Sequence, residues 1–318
     1  MFVELYAKTD VGRVRRANED NLLVLDLSAS QSWTATGGEA LSDNLCRFEV
    51  GAAGAILVVS DGMGGALAGD VASRMAVEVV REWLTGGLAE ATDTLPLEET
   101  GEAHVRESSL QLTDNLRTAA EYANLAIHHR SLEDAQCSGM GATFTGAAVI
   151  AGRLGLVQVG DSRAYILRGE RIKLATKDQS LVQQLIDSGT LTEEAAETHM
   201  FRNVILQALG AQGEVHPATA LLRLRRGDTL LLCSDGLSGK LRADDMQRIV
   251  HAADGDLAAA CDELIREANE RGGEDNITVV LARFGGDDLP APDSTEISVE
   301  PPFLVADDDE PTLGNPRT

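Results

Sequence analysis

Three short apolar runs in this chain stop on an aspartate. Ile56-Leu57-Val58-Val59-Ser60 runs into Asp61-Gly62-Met63-Gly64-Gly65, Leu156-Val157-Gln158-Val159-Gly160 into Asp161-Ser162-Arg163, and Leu230-Leu231-Leu232-Cys233-Ser234 into Asp235-Gly236. Two further acidic groups, Asn18-Glu19-Asp20-Asn21 and Glu274-Asp275-Asn276, open such runs instead of closing them. Short Val/Ile/Leu runs bounded by Gly or Asp read as buried strands. A carboxylate at the end of a buried strand is costly to desolvate unless a cation neutralises it, and several on one edge repel one another. Taken singly, an Asp-Gly after a strand is usually a turn. The recurrence at Asp61, Asp161, Asp235 and Asp275 favours a fold that gathers these ends around cations. All-oxygen ligands suit hard ions such as Mg²⁺ or Mn²⁺. Glycine beside Asp61 and Asp235 permits a tight turn and a close main-chain carbonyl.

The remaining strand candidates are Asn21–Leu27, Ala142–Ile150, Ala164–Arg168 and Ile277–Phe284. Helical periodicity appears in Ala68, Ala72, Met75, Ala76, Val79, Val80 and Trp83, across Leu110–His129, and in Leu257, Ala260, Cys261, Leu264, Ile265 and Ala268, stopped by Gly272-Gly273. Strands, two long helices, strands, helices and a last strand predict an α+β layered sandwich, not an alternating parallel sheet. Ser28–Gly54, Gly86–Ser108 and Lys177–Met200 read as surface insertions, the last with a short helix over Gln179–Ser188 that forms a flap. Residues 285–318 hold six of the eight prolines and nine acids against one base, Arg317. Such a segment reads as a disordered acidic tail behind a folded domain over 1–284.

The net charge of −24 argues against nucleic acid or an anionic membrane as partner. Cys46, Cys137, Cys233 and Cys261 have neither zinc-site nor disulfide spacing. The N-terminus is not a signal peptide, and no apolar stretch approaches the roughly 20 residues a membrane span needs. A cytoplasmic setting is the simplest expectation. Against this acidity, Arg13, Arg15 and Arg16 cluster just before Glu19 and Asp20. Such a cluster is commonly a solvated edge. Beside cations it is also well shaped to grip a phosphate.

Here a resemblance becomes specific. Thr9-Asp10-Val11-Gly12-Arg13-Val14-Arg15-Arg16-Ala17-Asn18-Glu19-Asp20-Asn21, Ser60-Asp61-Gly62-Met63-Gly64-Gly65, Ser138-Gly139-Met140-Gly141-Ala142-Thr143, Val159-Gly160-Asp161-Ser162-Arg163-Ala164, Thr176-Lys177-Asp178-Gln179-Ser180, Arg202-Asn203-Val204-Ile205, Ala208-Leu209-Gly210, Ser234-Asp235-Gly236-Leu237 and Asp275-Asn276-Ile277-Thr278 resemble, in order, the motifs of the bacterial protein phosphatase 2C family, the metal-dependent serine/threonine phosphatases. The resemblance implies a four-layer α-β-β-α sandwich with two central, mainly antiparallel sheets and a flap over about 177–203. It implies two Mn²⁺ or Mg²⁺ ions. Asp61 would bridge them and the Gly62 carbonyl would bind one, while Asp235 and Asp275 would hold the other. Glu19 and Asp20 would act through water or as a nearby shell, Asp161 would join Asp235 at a third site, and Arg15 would clamp the phosphate. Phosphoserine and phosphothreonine would be hydrolysed by a hydroxide bridging the ions, opposing a Ser/Thr kinase and its substrates.

Two positions depart from the family pattern. Met63 stands where animal members carry His, so metal-bound water is the expected proton donor. Gln179 stands where the flap often has His, which should alter flap contacts or substrate preference. The rival reading, a phosphoprotein-binding scaffold on the same fold, sits poorly with every acidic position being filled. In the tail, Thr312 after Asp307-Asp308-Asp309-Glu310 invites a phosphothreonine-reading partner, set against a merely solubilising role.

Overall fold

The structure is a computed structural model that describes residues 1–35, 43–64, 68–91, 102–292 and 296–300. Its strands are β1 (Phe2–Asp10), β2 (Asp20–Asp26), β3 (Gln31–Thr34), β4 (Arg47–Glu49), β5 (Ala55–Met63), β6 (Gly141–Ala142), β7 (Phe144–Ile150), β8 (Arg153–Val159), β9 (Arg163–Arg168), β10 (Arg171–Leu174), β11 (Ala218–Arg223), β12 (Thr229–Cys233) and β13 (Ile277–Gly285). The helices are α1 (Asp43–Cys46), α2 (Ala68–Ala91), α3 (Glu102–Glu133), α4 (Leu181–Asp187), α5 (Glu193–Glu197), α6 (Asp235–Ser238), α7 (Ala243–Ala252) and α8 (Leu257–Glu270).

Two antiparallel sheets form, in the orders β10-β9-β12-β13-β1-β4 and β11-β8-β7-β5-β2-β3, with β6 added beside β5. Strand alternation explains why they stack. In β5, Leu57 and Val59 face the opposite sheet while Ile56 and Val58 face α2 and α3. In β12, Leu230 and Leu232 face between the sheets while Leu231 and Cys233 meet α7 and α8. Both faces of each strand are therefore apolar, which is why the sequence shows continuous runs there. The result is the expected α-β-β-α sandwich, with one aliphatic core between the sheets and one under each helical layer. No helix among the described residues is long and apolar enough to cross a membrane.

Three expectations change. Ser28–Gly54 is not merely a surface insertion, because it supplies β3 to one sheet and β4 to the other. Much of Gly86–Ser108 is helix, since α2 continues to Ala91 and α3 begins at Glu102; 92–101 lie outside the described residues. The boundary at 284 is too early. Leu289 and Ile297 are buried in the inter-sheet core, Lys173 Nζ donates to the Ile297 carbonyl at 2.8 Å, and Glu300 and Leu221 bond backbone to backbone. Three apolar residues spaced along an acidic segment (Leu289, Ile297 and the half-buried Val299) suffice to hold it on the sandwich. Residues 301–318, including Thr312, lie outside the described residues.

Candidate active site

The acidic strand ends meet at one end of the sandwich. β2 and β5 are neighbours with Asp20 directly opposite Asp61. β12 and β13 are antiparallel neighbours, so Asp235, after the first, and Asp275, before the second, share that end. The two sheets are stitched there by Asp20, whose Oδ2 accepts from Ser234 Oγ at 2.8 Å and Thr278 Oγ1 at 2.6 Å. Asp161 follows β8 into the same region.

Charge confirms the convergence. Burial pushes the Asp61 carboxyl well above the usual carboxylate range, and Asp20, Asp235, Asp161 and Asp275 push it further. Asp20 is pushed up to about 7 by burial against the pull of its two hydroxyl partners. Asp161 is pushed up to about 7 by burial, then by Asp235 and Asp178. Asp235 is raised by burial and by Asp275, with Asp61 pulling the other way. Burial also raises Glu19. Asp20 Oδ1 and Asp235 Oδ1 are buried without any hydrogen-bond partner. Orphaned carboxylate oxygens inside a cluster of acids fit hard divalent cations better than any protein donor. No three described side chains are already drawn into a closed coordination shell, so what the fold preforms is the negative field and not a finished cage.

Backbone crowding shapes the same corner. Gly62 N donates to the Glu19 carbonyl at 3.1 Å, and a Cβ on Gly62 would meet the Gly69 carbonyl at 2.1 Å. A Cβ on Gly69 would meet Glu19 Oε2 at 2.3 Å. Glycine at both positions lets the start of α2 close over Glu19.

Arg15 lies on the rim, half exposed, with Nη2 donating to Asp275 Oδ2 at 2.8 Å. Several supporting residues had no role assigned from sequence. Asn276 is buried and holds the whole 11–19 loop: its Oδ1 accepts from Glu19 N at 2.8 Å, and its Nδ2 donates to the carbonyls of Val11 at 2.9 Å and Ala17 at 3.0 Å. Thr143 Oγ1 accepts from Asp61 N at 2.9 Å and pairs with Ser162 Oγ at 2.7 Å. The only sequence signal for either was its place within a motif. The flap root is fixed beside Asp161. Arg163 grips Asp178 with two bonds of 2.9 and 2.7 Å, and Gln179 Oε1 accepts from Gly160 N at 2.8 Å. Gln179 thus serves as a backbone clasp. Met63 pairs with Gly141 of β6.

A sequence model described as Protein phosphatase 2C matches residues 35–282. The serine/threonine phosphatase stp of Listeria monocytogenes is 35% identical over 274 residues, 86% of this chain and 93% of the relative. Protein phosphatase PhpP of Streptococcus pneumoniae is 35% identical over 234 residues, 73% of this chain and 87% of the relative. Among solved structures, the Mycobacterium tuberculosis serine/threonine phosphatase PstP/Ppp superposes with a TM-score of 0.67 at 32% identity, covering 90% of this chain and 100% of that one. The catalytic domain of PstP in complex with two manganese ions superposes with a TM-score of 0.65 at 31% identity, covering 90% and 99%. The sandwich, the acid-lined end and these likenesses agree, and the chain belongs to the protein phosphatase 2C family of metal-dependent serine/threonine protein phosphatases.

Proposed function

We propose that this enzyme hydrolyses protein phosphoserine and phosphothreonine at the acidic end of the sandwich, opposing a Ser/Thr kinase. The observation that carries this site is the pair of orphaned oxygens, Asp20 Oδ1 and Asp235 Oδ1, within the cluster that Asp61 and Asp161 complete beside Asp275. Asp61, the Gly62 carbonyl, Asp235 and Asp275 would hold two Mn²⁺ or Mg²⁺ ions, with Asp161 serving a third and Glu19 and Asp20 standing close behind. Ions bound there supply Lewis acidity and a water nucleophile usable near neutral pH.

The chain's own residues bind and orient. Arg15 spends one donor on Asp275 and keeps others for phosphate oxygens, on the side where charge builds as the ester bond breaks. Asn276 holds the loop that carries Arg15. Thr143 anchors the backbone of Asp61. The flap root, clasped by Gln179 and the Arg163–Asp178 pair, walls the site beside Asp161. Three buried cysteine thiols, Cys137, Cys233 and Cys261, support a reducing cytoplasm. A phosphothreonine-reading partner at Thr312 belongs to this same signalling picture. Absence of Thr312 phosphate after co-expression with the kinase would remove it.

The deciding experiment compares wild type with Asp61→Asn on a phosphothreonine peptide, with Mn²⁺ and with chelator. Activity should need Mn²⁺ and collapse in the variant. Near-normal Mn²⁺-dependent turnover by Asp61→Asn would overturn the assignment.

A further inference from the structure

We infer that Arg13 and Arg16 make the rim of this site selective for phosphorylated segments flanked by acidic residues. The inference rests on the phosphatase reading and sharpens its substrate class. The chain carries a net charge of −24, so its average surface repels acidic polypeptides. Around the site mouth, however, four acids have cationic partners of their own: Asp275 has Arg15, Asp70 has Arg74, Asp178 has Arg163 and Glu274 has Lys240. Arg13 and Arg16 are exposed and make no ion pair with any described residue. They are left as uncompensated positive charge in a protein with almost twice as many acids as bases.

Their position ties this charge to the phosphate site. Consecutive Cα atoms are about 3.8 Å apart, so both residues lie within about 8 Å of Arg15 along the backbone. That is within one Debye length at physiological salt. The loop is also preorganised. Arg13 N donates to the Gly273 carbonyl at 2.7 Å, Gly12 N to Asp10 Oδ1 at 2.9 Å, and Asn276 grips the carbonyls of Val11 and Ala17. Two guanidiniums on a fixed loop lose little backbone freedom when a ligand arrives, which favours selective recognition of carboxylates. A phosphoresidue seated at Arg15 would place its neighbours in the chain within reach of both side chains.

The test uses full-length protein with Mn²⁺ and four substrates: an aryl phosphate, and phosphothreonine peptides flanked by Asp/Glu, by Ser/Gln or by Lys. Wild type should favour the acidic over the Lys-flanked peptide by about tenfold in kcat/KM at low salt, shrinking as salt rises. The Arg13→Glu/Arg16→Glu double variant should lose or reverse that preference, by a larger factor than any change in its hydrolysis of the aryl phosphate. Arg13→Gln/Arg16→Gln should fall between. Equal rates on all three peptides in wild type, or an acidic preference that survives in both variants, would overturn the inference and leave the phosphatase reading intact. Failure of wild type to cleave the aryl phosphate with Mn²⁺ would instead bring down the phosphatase reading and this inference with it.

Discussion

β9 and β12 run side by side between two buried sets of charge, and the two ends handle their charge in opposite ways. At one end Arg168 and Asp228, 6% and 1% exposed, form a two-bond pair of 2.9 and 2.8 Å, and Asp228 also accepts from Arg225 N at 2.8 Å. Every carboxylate oxygen there has a partner from the chain. At the other end Asp20, Asp61, Asp161, Asp235 and Asp275 crowd together beside Arg15 and Arg163, and two oxygens find no donor among the described residues. The first arrangement is complete as folded and therefore structural. The second leaves two buried carboxylate oxygens unpartnered among the described residues, which is what the proposed divalent ions would relieve. A buried charge with its partner built in does not by itself point to function; one without a partner does.

The largest expected effect breaks the acidic end. Asp61→Asn should lower phosphopeptide turnover by a hundredfold or more, about the loss seen when one electrostatic contributor to a transition state is removed. Its metal-free melting temperature should hold or rise, because a repelling buried acid has been neutralised. A variant that melts lower yet keeps its activity would invert the comparison.

At the opposite end, Arg168→Met should cost about 3–5 kcal/mol of stability by stranding Asp228. Turnover per folded molecule should be unchanged, and Mn²⁺ should not rescue the pair itself. Denaturant unfolding with and without Mn²⁺ reads this. Rescue specific to the variant would mean the two ends are not independent.

A third measurement sharpens the contrast through pH. Asp20 and Asp161 sit near 7 in the folded, metal-free protein, against about 4 in an unfolded chain. The folded state therefore holds the extra protons between those values. Metal-free stability should fall as pH rises from about 4 to about 7 and stay low above. Divalent ions bind the ionised form, so the stabilisation on adding Mn²⁺ should grow over that window, reaching about 2.7 kcal/mol at a hundredfold excess over Kd. A Mn²⁺ effect equal at pH 5 and pH 8 would contradict the assignment of the cluster as the metal-binding element.

The smallest effect concerns support for the site. Asn276→Ala should loosen the 11–19 loop and lower kcat/KM by about tenfold, chiefly through KM, as Arg15 loses its fixed place. Combining it with Arg15→Ala should add little. Additive losses would show that Asn276 acts on something other than Arg15.

Much of this was legible in the chain because β5, β8, β12 and β13 are apolar on both faces, and runs such as Ile56–Val59 stand out from any background. β1 went unread: its Val3, Leu5 and Ala7 alternate with half-exposed residues, and only antiparallel pairing with β13 makes that pattern a strand. β3 and β4 were equally hidden, being short edge strands: β3 turns back on β2 as a four-residue hairpin arm, and β4 finds its partner only in the distant β1. The small stabilising contributions of Leu289 and Ile297 were masked by the prolines and acids around them.

Local composition by itself determined which residues end strands, which stretches are amphipathic, and that acids recur at strand ends in an ordered set of motifs. Only the tertiary structure decided that β2 lies against β5 and β12 against β13, so that acids from five separate segments share one desolvated corner. It also decided that Asn276 reaches back to Glu19, and that Arg13 and Arg16 remain without acidic partners among the described residues. The physical reason is range. Strand propensity and burial act through neighbours along the chain, whereas repulsion among carboxylates and the absence of a donor exist only once distant segments have been packed into one place.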